Sequence, residues 1–246
     1  MLKRIEDFEW IVCQDEADAF ITEATLIKKF KPKIVITALG SPERVIETVH
    51  AYGGMVIADV NNINFARRCA DMDVDGMALI CHGAGGHTGH LSPFSFTAYV
   101  REFFDGLIVL AGSISTGNHI RAAKLLGADL SYMGTRFISA QESNAVNEYK
   151  SMIINSTYDD LRLTNLFTGA DAYYLKDSII NNNLDPDNLD SNTDGFNVSA
   201  SQDKIKAWKD IWSAGQGVGL IKNIESVESI VHKLEFEFVQ GAGHEN

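Results

Sequence analysis

The chain is poor in the features that mark secreted, membrane-bound or nucleic-acid-binding proteins. Its three cysteines, Cys13, Cys69 and Cys81, are odd in number and widely spaced. That argues against a disulfide framework and suits a reducing compartment. Basic charge is scarce: 21 Lys and Arg stand against 33 Asp and Glu, a formal net charge of -12. Nucleic-acid binders concentrate Lys and Arg on one face, whereas here Lys28-Lys29 and Arg67-Arg68 are short isolated pairs. No apolar run approaches the roughly 20 residues of a membrane helix. Met1 to Trp10 carries charges throughout, in place of a signal-peptide core. Without a leader, the glycosylation acceptors at Asn155 and Asn197 read as incidental. These absences predict a soluble cytoplasmic protein that meets a small molecule, with no nucleic-acid or membrane partner.

What is present is a repeat of strand and helix signals. From Lys33 to Phe137, short apolar runs alternate with helical patterns of about ten to fifteen residues, the mark of βα units. Strands are expected at 33–37, 55–58, 77–81, 107–111 and 130–133, with a further candidate at Phe8 to Cys13. A complete eight-stranded α/β barrel needs about 250 residues, yet the repeats end near residue 137. The expected fold is therefore α/β, a TIM-type (β/α)8 barrel with five or six of its eight strands. Residues 1–143 form the partial barrel in this reading, and 144–246 a mostly helical C-terminal segment packed on it. Within that segment, helices are expected at 144–154, 203–212 and 226–238, with a polar surface loop at 181–197 and a frayed tail from Gly241.

An arc of five or six strands exposes two edges, and three remedies are open. The helix from Asp15 to Phe30 could fold across the gap, a second copy could close it as a homo-oligomer, or upstream residues could belong to the protein. The third is expected.

The chemistry gathers in Cys81-His-Gly-Ala-Gly-Gly-His-Thr-Gly-His90, where an apolar strand breaks into a glycine loop. His87 is the group in it able to exchange a proton near neutral pH. The competing reading is a tight turn whose histidine happens to face water. Two further glycine loops follow later strands, Gly112 to Gly117 and Gly134-Thr-Arg136. Backbone N–H groups bared by glycine hold anions without a lysine, so these loops, with Ser113 and Thr135, read as a phosphate cradle. A metal site on His82, His87 and His90 is disfavoured, because a glycine loop is too floppy for fixed coordination. His119 reads as a surface or loop residue. Trp208 and Trp212, at helical spacing, read as packing residues and not as cofactor contacts.

At these residues the chain resembles the flavin-dependent nitronate monooxygenases, formerly 2-nitropropane dioxygenases. The resemblance is carried by Ala84-Gly-Gly-His-Thr-Gly89, by Leu110 to Asp129, by Met133-Gly-Thr-Arg-Phe-Ile138 with Glu148-Tyr-Lys150, and by Trp212 to Ile221. It implies an FMN-binding barrel that oxidises alkyl nitronates with O2, releasing a carbonyl compound and nitrite. The catalytic histidine would be His87. Flavin contacts would fall on Gly85, Gly86, Gly112, Ser113, Gly134, Thr135 and Gln216, with no metal implied. The chain departs from the family at Gly83, where many members carry Glu, and at Ser113, where many carry Gly. It also lacks the Pro-Met pair that ends the family's first strand. The alternatives are a flavin-dependent enoyl-acyl-carrier reductase and an inactive partial barrel that serves as a subunit.

Overall fold

Alternation along the apolar runs builds the sheet, because successive side chains of a strand point to opposite faces. The computed structural model describes residues 16–38, 40–189 and 207–241. Helix α1 (Glu16–Phe30) leads into β1 (Ile34–Thr37). Then follow α2 (Glu43–His50), β2 (Met55–Val60), α3 (Ile63–Asp71) and β3 (Gly76–Ile80). A two-residue strand, β4 (Gly86–His87), precedes α4 (Pro93–Arg101), β5 (Leu107–Ala111), α5 (Gly117–Leu125) and β6 (Leu130–Tyr132). The parallel sheet has the order β1-β2-β3-β5-β6, so each βα unit lays its strand beside the previous one. All five regular strands expected from the sequence are present.

Helices cover one face of this sheet. Asn62, Ser92 and Thr116 cap α3, α4 and α5 by accepting from the N–H three residues on, which starts each helix close to the strand's C-terminal end. Beneath them Val60, Met77, Leu79, Cys81, Phe96, Ile108 and Leu110 form the main core. The alternate residues Ile57, Ala78 and Val109 make a smaller cluster on the other face. Neither β1 nor β6 has a second strand neighbour among the described residues, so the barrel is open. Helix α1 does not cross that opening. It packs on α2, with Ile27 among Val35, Val49 and Val56 on the helix-covered side.

The later segment holds α6 (Thr135–Ile138), α7 (Asn147–Asn155), β7 (Leu161–Thr164), β8 (Ala172–Leu175), α8 (Lys176–Ile180) and α9 (Val227–Gln240). Helix is its commonest regular structure but covers less than half of its described residues, and it also carries a hairpin that the sequence reading missed. Strand β8 pairs antiparallel with both β7 and β4. Helix α9 packs on α5, and the buried Arg136 reaches the partly exposed Glu225 at 2.7 Å in an ion pair. The helix expected over 203–212 is corrected for its described part. Residues 207–211 close a turn in which Trp208 N donates to Ile211 O at 3.0 Å and Trp208 takes φ +69. Stacking of the Trp208 ring on Tyr174 outweighs helical propensity there. The Phe8 to Cys13 strand, Cys13 and residues 190–206 lie outside the described residues. No helix among the described residues is long and apolar enough to cross a membrane.

Candidate functional site

Strand β3 leads into Cys81, which is buried in the main core and whose N–H donates to Ala111 O at 2.9 Å. The chain then turns at Gly83, with φ +85, a conformation open to glycine at little cost. The loop beyond it, read from the sequence as floppy, is tied into a sheet. Gly86 pairs with Tyr173 and His87 with Ala172, so the β7–β8 hairpin holds the histidine as part of a strand. Thr88 adds a bond from its hydroxyl to Cys81 O at 3.0 Å and one from its N–H to Asp171 O at 2.9 Å.

The orientation of His87 follows from its neighbour. Thr168 Oγ1 donates its one proton to Ala170 O at 3.1 Å. It also lies 3.0 Å from His87 Nε2; with its proton given to Ala170 O it accepts from Nε2–H, the tautomer that leaves the lone pair on Nδ1. Burial holds the imidazole below its usual pKa, so it is neutral at physiological pH. Trp208 stands edge-on to it, the ring centroids 5.4 Å apart and the planes 88° to one another. Trp208, read as packing the C-terminal segment, does stack on Tyr174 and also walls the histidine.

The three glycine loops meet as expected, and a fourth segment joins them. Gly83 O accepts from Ser113 N at 3.3 Å and from Gln216 N at 3.0 Å, while Thr135 Oγ1 accepts from Gly215 N at 2.9 Å. A Cβ on Gly85 would stand 2.5 Å from Thr135 Oγ1 and 2.6 Å from Gly215 N, so a side chain there cannot be accommodated. Around these loops opens a cavity of about 830 Å³ at the C-terminal ends of the strands, a size usual for cofactor sites. His87, Gly85, Gly112, Ser113, Gly134 and Thr135 line it.

Gly86 and Gln216 are placed beside the cavity and not on its wall. The Gln216 amide donates to Tyr173 Oη at 2.8 Å and lies 2.9 Å from His82 Nε2. His82, His87 and His90 each have a different partner, with His90 Nε2 lying 3.2 Å from Asp171. His119 Nδ1 accepts from Ser115 N at 3.2 Å and so braces the loop after β5.

Sequence reasoning also missed Asp59, Thr168 and Tyr173. Asp59 did carry a signal, an acid in the apolar run Met55-Val-Ile-Ala-Asp-Val60. Thr168 and Tyr173 carried none, since the hairpin that presents them was not foreseen.

The lining suits a flat cofactor with an anionic tail. Gly134 has open space where a Cβ would sit, so a ligand can approach its backbone closely. Ser113 adopts φ +57, an uncommon conformation for a residue with a Cβ. Asp59 also lines the cavity, and its Oδ1 is shielded from solvent and meets no hydrogen-bond donor among the described residues.

A family model described as nitronate monooxygenase matches residues 3–237. A probable nitronate monooxygenase of Bacillus subtilis is 25% identical over 238 residues, covering 90% of this chain and 68% of the relative. One of Staphylococcus saprophyticus is 30% identical over 232 residues, covering 84% of this chain and 64% of the relative. The chain thus spans about two thirds of the length of these curated relatives. Among solved structures, nitroalkane oxidase from Streptomyces ansochromogenes superposes with a TM-score of 0.76 at 23% identity, over 92% of this chain and 70% of that one. That likeness concerns the fold, and it identifies the five-stranded parallel arc as part of a TIM-type barrel.

Proposed function

Since the chain belongs to the nitronate monooxygenase family, we propose that its cavity holds FMN and that it oxidises alkyl nitronates with O2 to a carbonyl compound and nitrite. The observation that carries this reading is His87, neutral, oriented by Thr168 and lining a glycine-walled cavity. FMN, when bound, supplies the two-electron chemistry that no side chain can perform. Its phosphate would lie on the backbone of Gly112–Ser113 and Gly134–Thr135, where open approach replaces a lysine.

The protein's own part is proton transfer and positioning. A nitroalkane is a weak carbon acid, and His87 Nδ1 is the lone pair that takes its α-proton. Thr168 keeps the other nitrogen protonated throughout, so the resulting imidazolium stays in place to pair with the anionic nitronate. Trp208 and the β7–β8 hairpin screen one side of the ring from water.

The test is spectroscopic and then kinetic. The purified protein should be yellow, should release FMN on denaturation, and should consume O2 and form nitrite when given a preformed nitronate. A flavin-loaded protein that ignores nitronates yet oxidises NAD(P)H with an enoyl thioester would replace this reading with the enoyl reductase one.

A further inference from the structure

Asp59 is placed where an acid has no structural purpose. It is an inward-facing residue of β2, two after Ile57 and in register with Ala78 of β3. Its immediate surroundings on that face are the apolar cluster of Ile57, Ala78 and Val109. It also lines the strand-end cavity, and its Oδ1 has lost solvent without gaining a donor from the described residues. The other titratable or charged groups of that lining are Arg68 of α3, His87 of β4 and Tyr132 of β6, and none of them hydrogen-bonds to Asp59. A buried polar atom left unpaired costs about 1–3 kcal/mol, more if charged. Such a cost persists where a ligand offsets it.

We propose that Asp59 is the polar anchor for the ring of the bound flavin, its carboxylate accepting a hydrogen bond from the imide N3–H. This rests on the FMN reading above. An ionised carboxylate only accepts, and the oxidised isoalloxazine offers a single N–H, at N3. The ribityl hydroxyls are the other donors of FMN, and strand spacing separates the two choices. Asp59 sits two strands from β5 and three from β6, whose loops would hold the phosphate. At about 4.8 Å per strand that is roughly 10–15 Å, beyond the part of the ribityl chain nearest the phosphate and within the span of the ring. Burial pushes the carboxyl up to about 6, which leaves it mainly ionised, and therefore an acceptor, in weakly alkaline buffer.

The experiment compares FMN with its N3-methyl analogue, by quenching of flavin fluorescence at pH 7.5, on the parent protein and on Asp59→Leu. In the parent, methylation should weaken binding by about tenfold to a hundredfold, the range for a hydrogen bond to a charged group. In Asp59→Leu the two flavins should bind alike, and FMN itself should be weakened by a similar factor. The apoprotein of that variant should melt at or above the parent temperature, because an apolar group replaces an unpaired buried charge. A structural acid would instead lose stability and affinity together. If the apolar variant fails to fold, Asp59→Asn carries the same test. Its neutral acceptor forms the weaker bond, so the penalty for methylation must shrink. Parent protein that binds FMN with a methyl penalty unchanged by either substitution would overturn the Asp59 assignment alone. Parent protein that binds neither flavin would overturn the cofactor reading and this one with it.

Discussion

The helix-covered face of the sheet and its open face are made from alternate residues of the same strands, yet they meet different surroundings. On the covered face Val56, Ala58, Val60, Met77 and Leu79 are buried beneath helices. On the open face burial holds only along the middle of the sheet, at Ile57, Ala78, Val109 and Ala111. Toward the two edges it fails: Ile34 and Ile36 of β1 are 48% and 47% exposed, and Leu130 and Tyr132 of β6 are 53% and 46% exposed. The exposed residues are apolar and mark the places where a closed barrel would bring further strands. Stability should therefore be concentrated on the covered face, and chemistry at the open face's strand ends.

Substitutions on each side can break or sharpen that contrast. The largest effect should come from His87→Asn, which keeps the fold and lowers turnover of neutral nitroalkanes by about two to four orders of magnitude. Preformed nitronates should suffer less, because they need no deprotonation. Equal turnover of both substrates by the variant and the parent would remove His87 from the chemistry.

On the covered face, Leu79→Ala should destabilise the protein by about 2–5 kcal/mol in urea unfolding, since Leu79 is fully buried in the main core. A loss comparable to that at an exposed edge residue would erase the difference between the faces.

Asp59 predicts a pH dependence of opposite sign to that of ordinary paired carboxylates. Its folded-state value is about 6 against an ordinary 3.8, so the native apoprotein binds the proton more tightly than the unfolded chain. Stability from this group is present at low pH and is lost as pH rises through that window. Relative to Asp59→Leu, the parent should lose about 1–2 kcal/mol between roughly pH 4 and pH 7, after allowance for its partial exposure. Denaturant midpoints for the two proteins that run parallel with pH would contradict the buried, unpaired carboxylate.

Gly134→Val separates the phosphate cradle from the fold. A Cβ there meets open space, so melting should change little while FMN affinity falls by about tenfold. Gly112 would be a poorer test, because its φ of +125 means that any side chain strains the backbone. Smallest of all should be Ile36→Thr on the exposed edge of the open face, within about 0.5 kcal/mol of the parent in thermal melts. A large loss there would mean that the edge is covered in solution.

Much of this molecule was legible in the chain. Apolar runs with helical patterns between them determine five parallel strands, because period and length are local properties of a sequence. The glycine loops were legible for the same reason, since each follows its own strand directly. The hairpin of β7 and β8 was not, nor was its grip on His87, because antiparallel pairing to Gly86 joins residues more than eighty positions apart. Trp208 misled: its spacing to Trp212 suggested a helix, but its contacts with Tyr174 and His87 were settled by long-range packing. Asp59 shows the division most plainly. The sequence by itself determined that an acid interrupts an apolar strand. Only the tertiary structure decided that its side chain faces a cavity among apolar neighbours, because desolvation and the absence of a donor depend on what the rest of the fold places around it.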